Sequence, residues 1–143
     1  MAGVWRFEDL RVWREAKALS EDTAPILARS SLSSEPKLRD QLGAAVASVM
    51  ANIAEGFVRR RRKEFTQFVR IAAASNAEAR SLLYVLTDRG HLTVTERNAL
   101  LARTESITRM LRRLLDYLDV APGPHASRAK QEPHGRRNGN HEP

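Results

Sequence analysis

Phe65, Phe68, Ala72, Ser75, Ala79, Leu82 and Leu86 follow one another at steps of three and four without interruption. Only an α-helix brings residues with that spacing onto one face, because a strand would require strict alternation. The pattern predicts a helix over about residues 62–89, ended by Gly90. The middle of the seam is small, which lets a neighbouring helix approach closely. A second row, Ile71, Glu78 and Val85, recurs at steps of seven beside Leu82. Two adjacent rows imply that this helix buries more than one side, one within its own chain and one against another copy.

Three further segments share the helical period. Val12, Ala16, Leu19, Thr23 and Ile26 predict a helix over about 9–30, with Arg11, Arg14, Glu21 and Asp22 on the opposite side. Pro25 lies inside this pattern. It has no N–H and its ring crowds the carbonyl of Glu21, so a kink or break is expected near 21–24. Leu38, Leu42, Ala45, Val46, Val49 and Ile53 predict a second helix over about 36–55. Pro36 suits its first turn, and Gly56 suits a left-handed C-terminal cap. Thr93 and Glu96 have the spacing of a capping box. Leu100, Thr104, Ile107, Leu111, Leu114 and Leu118 then mark a fourth helix, ending near Asp119. Four amphipathic helices with short links predict an all-α fold, an up-down antiparallel four-helix bundle over residues 1–120.

Composition changes at residue 121. Residues 121–143 hold Pro122, Gly123, Pro124, Pro133, Gly135, Gly139 and Pro143 and almost no large apolar side chain. Such a segment buries too little surface to offset its ordering entropy, so a disordered basic tail is expected. Its Arg128, Lys130, Arg136 and Arg137 against Glu132 and Glu142 give +2 of the chain's net charge of +7. A field of that sign favours polyanions. Cysteine is absent, which excludes a disulfide framework and thiolate metal sites. Arg6, Glu8 and Asp9 stand where a signal peptide would need an apolar core. The longest charge-free run, about 41–54, is too short to cross a bilayer. The expectation is a cytoplasmic protein without a membrane partner.

Chemistry concentrates in two places. Arg59, Arg60, Arg61, Arg62 and Lys63 form an unbroken cationic run at the start of the third helix. Guanidinium groups offer bidentate donors to phosphate oxygens, so the run predicts sequence-independent contact with a nucleic-acid backbone. No aromatic residue interleaves it, so base stacking is not indicated by the run itself. Gln41, Ser48, Asn52 and Glu55 fall in one sector beside the apolar stripe of the second helix. That row, with Glu78 on the third helix, reads as a structural hydrogen-bond network or a subunit contact. Catalysis is not expected, since no His, Cys or second acid accompanies Glu55. Metal and cofactor sites are not expected either: no Glu-x-x-His pair or Gly-rich phosphate loop occurs, and His125, His134 and His141 lie in the tail with only His91 in the body.

Several short motifs occur in a fixed order: Phe7-Glu8-Asp9-Leu10-Arg11-Val12-Trp13, Gln41-Leu42, Ser48, Asn52-Ile53-Ala54-Glu55-Gly56, Lys63-Glu64-Phe65, Phe68, Ile71-Ala72, and Ser75 with Glu78. In order and spacing they resemble the four-helix-bundle family of bacterial rRNA intervening-sequence proteins, which includes the accessory protein of diversity-generating retroelements. The resemblance covers about residues 7–118. It implies a homo-oligomer, a pentameric barrel, and binding to nucleic acid and to a reverse transcriptase. A protein-interaction scaffold or adaptor is the alternative to nucleic-acid binding. The chain departs from the family at Ala74, Asn76 and Ala79, at Pro25, and at Arg61, where relatives carry a small hydroxyl residue able to cap the third helix.

Overall fold

The computed structural model describes residues 3–120. Residues 121–143, where the basic tail is expected, lie outside the described residues, as do three of the four histidines. A 3₁₀ turn at Phe7–Asp9 precedes α1 (Arg11–Leu27), and a second at Ser30–Ser34 leads into α2 (Pro36–Val58). α3 (Arg62–Asp88) and α4 (Val94–Val120) complete an up-down bundle. α1 packs on α2 and α4, and α3 packs on the same two helices, so α1 and α3 stand diagonally opposed. The α2–α3 pair is the most extensive contact and α1–α4 the least.

The core runs the length of the bundle. Ala16 and Leu19 of α1, Leu42, Val49 and Ile53 of α2, Val69, Ala72, Leu83 and Leu86 of α3, and Ile107 of α4 are fully inaccessible to solvent. Among the described residues, α2 is the one helix whose length and composition would suit a bilayer. Here its stripe Leu38, Leu42, Ala45, Val46, Val49 and Ile53 is buried inside the bundle.

Three expectations are corrected by the packing. α1 does not break at 21–24 but runs through Pro25 to Leu27, and the Ala28 N–H still donates to the Ala24 carbonyl at 3.2 Å. Pro25 falls in the last turn, so the bond it cannot donate to the Glu21 carbonyl is lost only where the helix is about to end. α2 does not end at Gly56. It continues to Val58, and Gly56 is buried inside the helix against α3, where an added Cβ would lie 2.7 Å from Phe68 Cβ and 2.8 Å from Phe65 Cδ2. The left-handed residue of that connection is Arg60, with φ of 57°.

α3 buries Phe65, Thr66, Val69, Ala72, Asn76, Ala79, Leu83 and Leu86. Phe68, Ser75 and Leu82 are only half-buried. Phe65, Ala72, Ala79 and Leu86 belong to both readings, but the stripe widens toward α4 instead of toward the outside. Of the second row, Ile71 is 48% exposed and Glu78 is exposed, while Val85 is half-buried against the core. α3 therefore does bury two adjacent rows, and both face helices of its own chain.

The ends follow local rules. Gly90, at φ of 79°, closes α3 with the Gly90 N–H donating to the Thr87 carbonyl at 3.1 Å and the His91 N–H to the Leu86 carbonyl at 2.9 Å. The capping box forms as the spacing predicts, with the Glu96 N–H donating to Thr93 Oγ1 and the Thr93 N–H to Glu96 Oε1, both at 3.1 Å.

Candidate nucleic-acid interface

The alternating directions of the helices bring four chain segments to one end of the bundle: the N-terminal segment, the end of α2, the start of α3 and the end of α4. The cationic run forms the connection between α2 and α3. Arg59 caps α2, Arg60 reverses the chain in its left-handed conformation, Arg61 is extended at the N-cap of α3, and Arg62 and Lys63 begin that helix. All five side chains are exposed.

They are not equivalent. The Arg59 guanidinium donates to Glu55 Oε1 from Nη2 at 2.7 Å and from Nε at 3.3 Å, and lies 5.3 Å from the centre of the Phe68 ring. The bond it donates to Glu55 holds Arg59 above its ordinary pKa. Arg62 lies 5.4 Å from the centre of the Tyr117 ring, a cation–π contact that leaves its charge uncompensated. Arg60, Arg61, Arg62 and Lys63 form no ion pair among the described residues. Behind them, Val4, Phe57, Phe65 and Leu118 floor a shallow depression of about 250 Å³ rimmed by Arg60, Arg61, Arg62 and Tyr117. Arg70, two turns beyond Arg62, adds a cation beside Lys63 and Gln67.

Three features of this run oppose stability. A non-glycine residue in the left-handed region costs on the order of 1 kcal/mol. Arg61 makes no side-chain capping bond, where a Ser or Asp would contribute about 1 kcal/mol. Cations at a helix N-terminus also oppose its dipole.

The polar row divides. Ser48 Oγ is 2.7 Å from Ser75 Oγ, and Asn52 Nδ2 donates to the Ser48 carbonyl at 2.8 Å and to Ser48 Oγ at 2.9 Å, joining α2 to α3. Glu55 stands apart, exposed and paired with Arg59. Gln41 and Glu78 are exposed and make no side-chain hydrogen bond or ion pair among the described residues. The more deeply buried polar group is Asn76, whose Nδ2 donates to the Thr104 carbonyl and to Thr108 Oγ1, each at 3.0 Å, tying α3 to α4. Among the described residues no three His, Asp or Glu side chains gather in a way that could hold a metal.

A second charged cluster closes the other end. Arg29 donates to the His91 carbonyl at 2.9 Å and pairs with Glu96. Glu35 pairs with Arg89 and with the His91 ring. The bond from Arg29, with those from Thr93, holds the Glu96 carboxyl at about 2. Glu35 is also lowered, first by the bond from His91 and then by that from Arg89. All these partners answer one another, so this cluster fastens helix ends and offers no free charge.

Trp5, Tyr117 and Arg70 were not legible as part of the site. Arg70 had a signal, since it lies at helical spacing from Lys63. Tyr117 had none, and neither did Trp5, the exposed neighbour of Val4, because only the antiparallel topology brings Val4 and the end of α4 to the α2–α3 connection.

No curated protein matches the chain in sequence. Its fold is similar to that of a crystallised protein of unknown function from the S23 ribosomal protein family of Bacteroides thetaiotaomicron, with a TM-score of 0.65 at 19% identity over 73% of this chain and 97% of that one. The family model for 23S rRNA-intervening sequence protein matches residues 8–113, most of the described body. By that match the chain belongs to the 23S rRNA-intervening sequence protein family.

Proposed function

We propose that the protein is a non-catalytic homo-oligomer that binds nucleic acid, RNA or DNA, through phosphate contacts from the run Arg59, Arg60, Arg61, Arg62 and Lys63, in which the four cations after the Glu55-paired Arg59 lead. The observation that carries this reading is the concentration of four cations without an ion pair among the described residues, at a left-handed Arg60 and an uncapped start of α3 that both lower stability. A hydrated loop needs neither a left-handed arginine nor an uncapped helix start. The family's name, with its reference to intervening sequences of 23S rRNA, agrees with such a setting. An oligomer, the pentamer that the resemblance implies, would present several copies of the run and convert weak contacts into avidity. The test is binding to a duplex against salt concentration. Each neutralised phosphate contributes about −0.9 to the log–log slope, so replacing all five cations with Gln should flatten it. An unchanged slope, or no binding at low salt, overturns the proposal.

A scaffold for a protein partner, such as a reverse transcriptase, is the second reading. It draws support from Ile71 and Tyr84 on α3, 48% and 46% exposed. Capture of one defined protein partner after nuclease treatment, lost with Ile71→Glu, would favour it.

A further inference from the structure

We infer that this end of the bundle binds a single nucleic-acid strand, with an unstacked base lying on Trp5 or Tyr117 while Arg60, Arg61, Arg62 and Lys63 hold its phosphates. This rests on the phosphate-binding reading and names the class of nucleic acid that the same surface selects.

The cationic run has no aromatic residue within it, but the fold sets Tyr117 against it, and Trp5 stands next in the chain to Val4 at its edge. Tyr117 rises from the last turns of α4 and is 47% exposed beside Arg62. Val4 lines the depression behind Arg60, Arg61 and Arg62, and Trp5 follows it directly with 76% of its surface exposed. The neighbouring aromatics behave differently: Phe7 and Trp13 pack edge to face at 5.2 Å against the core. An aromatic ring half-exposed against Arg62, in a run where four cations form no ion pair among the described residues, suits a partner with both a π-face and negative charge. A duplex offers only the second, since its bases are stacked inside. A single strand offers both, and every base has a face to stack, so the contact is indifferent to sequence. The floor of Phe57, Phe65 and Leu118 suits a flat apolar surface and provides no donors for reading base edges.

The experiment uses the full chain in a Trp13→Phe background, so that Trp5 is the sole indole. Binding of an oligodeoxythymidine, an oligouridine and a duplex of equal length is measured by Trp5 emission and by anisotropy of the labelled strand. The expected result is tighter binding of one or both single strands with quenching of Trp5. Trp5→Ala or Tyr117→Ala should weaken single-strand binding roughly 5- to 150-fold and leave duplex binding unchanged. Trp5→Phe and Tyr117→Phe, which keep an aromatic face, should restore most of the loss. Both residues are exposed, so truncation leaves the core intact. Equal affinity for strand and duplex, insensitive to both alanine variants, overturns this inference while leaving the phosphate reading standing. Absence of binding to any of the three overturns both. Trp5 emission that changes with protein concentration alone would show a second copy covering the indole, and would overturn this inference too.

Discussion

Gly56 and Asn76 carry constraints that their neighbours do not. At Gly56 the Cβ of an alanine would sit 2.7 Å from Phe68 Cβ, an atom next to the backbone that cannot swing aside. Alanine gains up to about 1 kcal/mol of helix propensity over glycine. Overpacking costs about 1–3 kcal/mol and should outweigh that gain. Gly56→Ala is therefore expected to lower the denaturation midpoint, as followed by circular dichroism, and a rise would refute the close approach of α2 to α3. Asn76 is 1% exposed and uses its amide as donor to two oxygens of α4, while its Oδ1 has no partner among the described residues. Asn76→Asp keeps the shape and replaces the donor with an acceptor. It should destabilise by about 1–3 kcal/mol, and by more once the carboxyl ionises. Denaturant titrations at acid and neutral pH would show the larger loss at neutral pH. The sequence marked Gly56 as a helix end and Asn76 as a departure from family pattern; neither role could be read without knowing which helix lay opposite.

At the scale of elements, α3 and α4 begin in opposite ways. α4 starts on a complete capping box, whereas α3 starts on Arg61 with no capping side chain. Arg61→Ser supplies the missing acceptor and should stabilise by about 1 kcal/mol. The same change removes a cation and should weaken nucleic-acid binding. Opposite signs in a melting curve and a binding isotherm would separate stability from function, and a variant better or worse in both would contradict the assignment. The other end of the bundle predicts a pH response. Glu96 is held at about 2 against an ordinary 4.5, so its ion pair with Arg29 contributes stability above about pH 4.5. That contribution is lost as pH falls toward 2, and Glu35 shifts in the same direction. Urea midpoints measured from pH 6 downward should decline in this window for the native chain and decline less for Glu96→Gln.

Across the whole molecule, the five cations should separate into one plus four. Glu55 already neutralises Arg59, so Arg59→Gln alone should scarcely change the salt dependence of binding. Joint replacement of Arg60, Arg61, Arg62 and Lys63 should reduce the slope by up to about 3.6 while leaving the melting temperature unchanged or slightly higher. Equal effects from Arg59 and from any one of the four would remove the distinction. By itself the sequence determined four helices, their order, the capping box, the Gly90 end and the presence of a dense cationic run. Each depends on residues within a turn or two of one another, where period and propensity are decisive. Only the tertiary structure decided that Val69, Asn76 and Leu83, more than Phe68, Ser75 and Leu82, complete the α3 seam, because steps of three-then-four and four-then-three fit one helix equally. The position of α4 breaks that tie. It likewise decided that Gly56 is a contact, that Arg60 turns the chain, and that Val4 and Tyr117 join the arginines, since neighbours distant in the chain are set by packing and leave no local trace.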